Sequence, residues 1–167
     1  MEIPRIILAS ASPRRSLLLR QMGLQFEVSV REISESAVTI EEPVERVIEL
    51  SRRKAEAVSQ TVEKGLIIGA DTIVFINGRI LGKPDSTAEA GQMLHTLSGV
   101  THEVYTGFTL LSIGSRNYSD FEKTKVTFRI LEDWEIDNYV ASGEPLDKAG
   151  AYGIQDRSGL FVDRIEG

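Results

Sequence analysis

The chain has 167 residues, no cysteine, a formal net charge of −6, 41% hydrophobic and 26% charged residues. That is the size and balance of one globular domain with a sizeable core. Disulfides, thiolate metal sites and cysteine nucleophiles are excluded, and the acidic balance argues against a nucleic-acid coat. No apolar run reaches the ~18 residues of a membrane span, and Ile6-Ile7-Leu8-Ala9 is too short for a signal-peptide core. With His95 and His102 as the two histidines, a multi-histidine zinc site is not expected. The absence of cysteine is compatible with a reducing cytoplasm, the expected compartment.

Pro4 to Ala9 reads as a strand, followed at once by Ser10-Ala11-Ser12-Pro13-Arg14-Arg15 and a helix that stops at Gly23. Ser12 suits the N-cap, Pro13 the first helical position and Gly23 the C-terminal stop. Two hydroxyls, backbone N–H groups at a helix start and two guanidinium groups therefore converge at a strand end. That combination suits a phosphate. The competing interpretation is an ordinary Ser-Pro helix start with solvated arginines. Cations in a first turn oppose the helix dipole, which favours the anion.

Arg31 to Glu42 is acidic and polar, a loop with some strand character. Pro43 opens a second helix whose Val44, Val47, Ile48, Ser51, Ala55 and Val58 follow a 3.6-residue period, with Lys54 beside the stripe. Leu66 to Ala70 suits a buried strand, ended by Asp71. Thr72–Ile76 and Arg79–Leu81 flank Asn77-Gly78, a strong hairpin signal. Ser86 and Glu89 make a capping box for a helix to about Leu97, stopped at Gly99.

His102 to Ile113 and Tyr118 to Leu131 read as long strands joined by a turn at Gly114–Asn117. Asp133 to Ala141 is a short helix, and Ser142-Gly143-Glu144-Pro145 breaks it. Lys148 to Gln155 is a glycine-punctuated loop, and Leu160 to Ile165 a last strand. Interleaved strands and helices with prominent hairpins imply an α/β fold with a mixed sheet.

Among candidate residues, Asp71 stands at a strand end, where catalytic groups gather in α/β proteins, although turn-forming aspartates also sit there. Lys83 is held in a defined direction by Pro84. Lys148 and Gln155 bracket Gly150 and Gly153, which let a backbone approach a ligand closely. Gln155 carries the donor and acceptor needed to read a base edge. Glu35 and Asp71 offer carboxylates for a divalent metal or a water, while Arg14, Arg15, Lys54, Lys83 and Lys148 offer charge for phosphates. His102 reads as structural or surface rather than catalytic, and His95 as an exposed helix residue. No Gly-x-x-x-x-Gly-Lys-Ser/Thr loop is present, so a P-loop is not indicated.

Five ordered blocks carry a resemblance. They are Leu8-Ala9-Ser10-Ala11-Ser12-Pro13-Arg14-Arg15, Gly69-Ala70-Asp71-Thr72, Gly82-Lys83-Pro84, Leu97-Ser98-Gly99 with His102 and Thr106-Gly107, and Gly143 to Gln155. From Ile6 to Gly167 the chain resembles the Maf family of nucleotide pyrophosphatases. The resemblance implies an elongated α/β fold with a mixed sheet, flanking helices and a central cleft, as in inosine-triphosphate pyrophosphatases. It implies hydrolysis of a nucleoside triphosphate to monophosphate and pyrophosphate with a divalent metal, Mg²⁺ or Mn²⁺.

Asp71 matches the family's proton acceptor. Ser10, Arg14, Arg15, Glu35, Lys54, Lys83 and Gln155 match positions around the nucleotide, to which Ser12 and Lys148 are added from the motifs that hold them. Arg14, Thr72 and Gln155 match positions linked to base choice. The Ala151-Tyr152-Gly153-Ile154-Gln155 form looks like the branch acting on dTTP and UTP rather than on 7-methyl-GTP. The resemblance also implies a further segment beyond the position of Gly167, which the 167-residue domain is expected to lack, and a glycine where Asp156 stands. A homodimer is allowed; nucleic acid and membrane partners are not expected. A nucleotide-binding regulator with little turnover, and a pyrophosphatase preferring modified nucleotides, are the alternatives. The carboxylates of Asp71 and Glu35 favour an enzyme over the regulator, and the net charge with few exposed aromatics expected disfavours a nucleic-acid module.

Overall fold

The computed structural model describes residues 5–115 and 117–167; Pro4 of the first expected strand and Arg116 of the expected turn lie outside them. In chain order the elements are β1 (Ile6–Ala9), α1 (Pro13–Gln21), β2 (Glu27–Val28), α2 (Pro43–Ser59), β3 (Leu66–Ile76), β4 (Arg79–Leu81), α3 (Thr87–Leu97), β5 (Thr101–Ser112), β6 (Tyr118–Phe128), α4 (Asp133–Ala141) and β7 (Val162–Glu166). The strands make one seven-stranded sheet in the order β2-β1-β3-β5-β6-β7, with β4 on β3. β1 is parallel to β2 and β3, while β4 is antiparallel to β3 and β7 to β6. The expected mixed α/β sheet is thus present. Among the described residues, no helix is long and apolar enough to cross a membrane.

Contacts divide the chain into two compact units. One takes the chain up to Asp71 and again Thr106–Phe121; the other takes Thr72–Tyr105 and Glu122–Gly167.

In the first unit, Ile6 to Ala9 of β1 are all buried, as a continuous apolar run in a central strand should be. α1 begins with Ser12 at the N-cap position and Pro13 next. It ends with Leu24 N–H on the Leu19 carbonyl (3.1 Å), Gly23 N–H on the Arg20 carbonyl (2.9 Å), and Gly23 at φ 75°. That is a Schellman stop, which needs a residue tolerant of the left-handed region. α2 starts at Pro43, and the Glu42 carboxylate accepts from Glu45 N–H at 2.8 Å. Its buried residues are Pro43, Val47, Leu50, Ser51, Ala55 and Val58. The stripe is therefore turned slightly from the expected one. Leu50 enters it, Val44 and Ile48 are only half-buried, and Lys54, seven residues after Val47, falls on the stripe rather than beside it.

Two glycines let α2 lie against the sheet. A Cβ at Gly69 of β3 would overlap the Ser51 carbonyl oxygen and come within 2.9 Å of Ala55 N; one at Gly107 of β5 would come within 2.5 Å of the Val47 carbonyl carbon. Ser51 and Thr109 hydroxyls bond at 2.8 Å across the same contact, satisfying two buried polar groups. Ile7, Ala9, Ala55, Val58, Ile67 and Leu111 form the core beneath.

In the second unit, Asn77 (φ 50°) and Gly78 (φ 76°) turn the β3–β4 hairpin, with Ile76 opposite Arg79. Positive φ at both central residues is what a type I′ turn requires, hence Asn-Gly. α3 is capped by Ser86, whose hydroxyl accepts from Glu89 N–H at 3.1 Å. The returning bond to the Glu89 carboxylate is donated by Asp85 N–H, one residue before the expected partner. Val74, Leu94, Leu97, Phe128, Ile136 and Phe161 lie in its core. His102 is only 1% exposed there. Its Nε2 is 2.6 Å from the Tyr152 hydroxyl and its ring stands edge-on to Phe128.

Four boundaries depart from expectation. β3 runs unbroken through Asp71, because the carboxylate finds a partner within the fold and the apolar runs on both sides prefer strand. Arg31 to Glu42 contains a 3-10 turn at Glu35–Ala37 and no strand. β6 stops at Phe128: beyond it, Arg129 N–H bonds the Phe161 carbonyl and Leu131 N–H the Ser98 hydroxyl, outside the ladder. Leu160 and Phe161 lie in a 3-10 turn before β7, and Leu160 is exposed. The two-residue β2 carries no sequence signal.

Gly69→Ala should cost about 2–4 kcal/mol, since the clashing atoms are backbone. Gly91→Ala on α3, where a Cβ meets nothing within 4 Å, should be neutral or stabilising by about 0.5–1 kcal/mol. Urea midpoints of the two variants compare them directly. Burial holds the His102 imidazole down at about 4, against 6.5 in its ordinary state. Between those values the unfolded chain binds a proton that the folded chain does not. Stability is therefore lost as pH falls from about 6.5, by up to about 3 kcal/mol near pH 4. Urea unfolding across that range should give a shallower pH slope for His102→Gln than for wild type; equal slopes would rule out His102 as the source.

Candidate active site

Residues two apart on a strand share a face, so Asp71 points the same way as Gly69, toward α2. Lys54, one turn beyond Ser51 at the helix–sheet contact, reaches it. Lys54 Nζ donates to Asp71 Oδ1 at 2.5 Å and lies 2.8 Å from Glu35 Oε1. Asp71 is only 6% exposed, whereas the Glu35 side chain, at the start of its 3-10 turn, is 49% exposed. One ammonium thus bridges a buried and a half-exposed carboxylate.

Arg15 approaches from the first turn of α1. Its Nη1 donates to the buried Ser10 hydroxyl and to the Ala70 carbonyl, both at 2.9 Å. The Ser10 hydroxyl also accepts from Ser12 N–H at 3.3 Å. The Ser12 side chain makes no cap bond, and no acidic residue lies in the first turn of α1. Arg14, half-buried, stands beside Arg15 in that turn. Burial pushes the Asp71 carboxyl up from its ordinary range; Lys54 and, more weakly, Arg15 oppose the rise, and Glu35 adds to it. Burial lowers the Arg15 guanidinium, with Asp71 opposing.

The donor set fits a hard divalent cation. Two carboxylates already converge on a positive charge, and an Mg²⁺-type ion is usually held by one or two carboxylates with phosphate and water completing its shell. Among the described residues no group of three or more histidines, cysteines or carboxylates could hold a metal. The fit is to a metal shared with substrate phosphates, not to a closed protein cage.

The second unit carries the other sequence candidates. Thr72 follows Asp71 on β3 and is half-buried; Lys83, after β4, is exposed. Gly150 N–H bonds the Gly82 carbonyl at 2.9 Å, so the Lys148–Gln155 loop is tied next to Lys83. Gln155 is exposed on that loop. Lys148 is 5% exposed, its Nζ donating to the Glu144 carbonyl at 2.5 Å and Asp147 Oδ1 at 2.7 Å and lying 3.4 Å from Asp156 Oδ2.

Sequence reasoning therefore named Ser10, Arg15, Glu35, Lys54 and Asp71, which these contacts place in the first unit with Ser12 and Arg14, and Thr72, Lys83, Lys148 and Gln155, which belong to the second. It missed the Ala70 carbonyl, which has no side-chain signal. It quoted Gly69 and Gly107 only within the resemblance blocks and missed their packing role; an isolated glycine inside an apolar strand run is the signal that finds such close approaches.

Residues 5–167 match the family model described as Maf-like protein. The chain is 49% identical over 163 residues to a dTTP/UTP pyrophosphatase of Bacillus cytotoxicus, covering 98% of this chain and 85% of that protein. It is 48% identical, with the same coverage, to a dTTP/UTP pyrophosphatase of Bacillus cereus. Among solved structures, it shares its fold with a HAM1 protein of Coxiella burnetii (TM-score 0.50, 15% identity, 93% of this chain and 90% of that one). The Ham1 protein of Staphylococcus aureus gives a TM-score of 0.53 at 14% identity, over 74% of this chain and 71% of that one.

Lys54→Met should leave the Asp71 and Glu35 carboxylates without their shared ammonium. We expect a loss of about 3 kcal/mol near neutral pH, shrinking as pH falls and Asp71 takes up a proton. Chemical denaturation at neutral and at acidic pH measures it; a loss that does not change with pH would point to packing of the lysine stem instead.

Proposed function

This chain belongs to the Maf-like protein family, and we infer that it is a nucleoside triphosphate pyrophosphatase splitting dTTP and UTP into the monophosphate and pyrophosphate. The observation that carries the chemistry is the buried Asp71 carboxylate, raised in proton affinity and held by Lys54 beside Glu35 and Arg15. A pure anion-binding site gains nothing from two carboxylates beside its cations. A hydrolytic site needs a base, and burial makes Asp71 a stronger one than an exposed aspartate.

In the mechanism we propose, Asp71 orients and deprotonates a water that attacks the α-phosphorus in line. The new P–O bond forms as the bond to the α–β bridging oxygen breaks, and pyrophosphate leaves with that electron pair. Arg14, Arg15, the Ser10 hydroxyl and the start of α1 counter the charge on the phosphates. Glu35 and Asp71 would hold the divalent ion, Mg²⁺ or Mn²⁺. When bound, such an ion polarises a phosphoryl oxygen and acidifies a water. In the second unit we assign Lys83 to phosphate, and Thr72 and Gln155 to the pyrimidine edge, on the family resemblance.

Pyrophosphate release should be measured across a nucleotide panel, with and without divalent metal. We expect dTTP and UTP to be preferred over 7-methyl-GTP and release to need the metal. Binding of dTTP or UTP with no release would favour the nucleotide-binding regulator instead. Asp71→Asn should lower kcat by about 10²–10⁴-fold. Asp71 acts deprotonated, so kcat/KM of the wild type should fall as pH falls and Asp71 takes up a proton; a profile flat into the acid range would argue against Asp71 as the base.

A further inference from the structure

Lys148 is placed unlike the other cations assigned to phosphate. Its side chain is 6% exposed, and three oxygens, from Glu144, Asp147 and Asp156, crowd one ammonium. An ammonium has three protons to give, and these partners take up its directions. Burial works against the charge, but Asp147, Tyr139 and Asp156 together outweigh it, leaving Lys148 raised and protonated. The loop it closes is built on it. A Cβ at Gly153 would sit 3.3 Å from the Lys148 stem and 3.0 Å from Asp156 Oδ2. Ser158 Oγ accepts from Gly153 N–H and donates to its carbonyl, both at 3.0 Å, and Asp156 N–H bonds that same carbonyl at 3.0 Å.

We propose that Lys148 is a positioning residue that pins the Gly150–Gln155 loop from within, with Asp156 as one arm of the pin, and that it does not bind substrate phosphate. The consequence for substrate rests on the pyrimidine-triphosphate reading, in which Gln155 meets the base. A buried, doubly anchored lysine cannot reach an anion without giving up its partners. Its removal instead takes the shared ammonium away from Asp147 and Asp156, and the loop moves. Asp156, which stands where the resemblance implies glycine, supplies the acceptor that ties the far end of the loop to the near one.

Two variants test this, Lys148→Met and the near-isosteric Asp156→Asn. Three readouts apply: amide hydrogen exchange across residues 149–155, steady-state kinetics with dTTP and UTP, and calorimetric binding of inorganic tripolyphosphate, which has no base. We expect about tenfold faster exchange in Lys148→Met and a smaller rise in Asp156→Asn. KM for dTTP and UTP should rise about tenfold and a few-fold respectively with kcat held within about twofold, while tripolyphosphate affinity stays within about twofold. Tripolyphosphate affinity falling in step with KM in Lys148→Met would make Lys148 a phosphate ligand and overturn the proposal. Unchanged exchange in both variants would overturn it as well. If Lys148→Met does not fold, Asp156→Asn decides by exchange. If wild type releases no pyrophosphate from either nucleotide, the activity assignment fails, and exchange still decides whether Lys148 pins the loop.

Discussion

The close approach of α2 to the sheet is the contact on which the Lys54–Asp71–Glu35 cluster depends. Any side chain at Gly69 or Gly107 would meet helix backbone, and the Ser51–Thr109 hydroxyl pair forms only at that separation. The helix period then fixes the neighbouring contact. Ser51 lies over Gly69, and Lys54, one turn on, meets Asp71, two residues along the same strand face. A helix held even a few ångströms farther out would leave Lys54 reaching through solvent, and Asp71 buried without its ammonium. Packing and electrostatics are thus one constraint rather than two.

That constraint explains why a carboxylate is tolerated inside β3. Desolvation raises the cost of its charge, and the ion pair offsets it without cancelling it, so its proton affinity stays above the ordinary range. A stability-minded sequence would place an apolar residue here, since well-packed apolar groups commonly match or exceed a buried ion pair. Retaining Asp71 makes sense where the residual proton affinity is used. Lys54 has a second effect: by sharing itself with the half-exposed Glu35, it brings two carboxylates to one point while neutralising part of their repulsion.

Much of this was legible in the residues because it is written in local rules. Asn77-Gly78 permits little except a tight hairpin, Pro43 and Asp133 mark helix starts, and Gly23 a stop. What was not legible depends on contacts distant in sequence. Asp71 looked like a strand end because an unpaired aspartate would be one; its partner, Lys54, lies 17 residues earlier on another element. The stripe of α2 looked to include Val44 and Ile48 because both are apolar, but the glycines on the sheet decide which face turns inward. β6 looked three residues longer because Leu131 is apolar, while the Ser98 hydroxyl that takes its N–H out of the ladder has no pattern in the sequence.

The start of α1 violates three local preferences at once. It carries two arginines where the helix dipole disfavours cations, no acidic residue in the first turn, and a serine at the N-cap whose hydroxyl does not cap. The helix also buries none of its own residues, so packing does not compensate. Instead, Arg15 is braced from outside the helix by Ser10 and the Ala70 carbonyl. Local inconsistency of this kind concentrates at functional sites, where the missing compensation comes from a ligand. An anion at this terminus would meet the guanidinium groups and the helix dipole together, turning each unfavourable feature into a favourable one. In a protein of net charge −6, this turn concentrates a positive charge that the surface as a whole lacks.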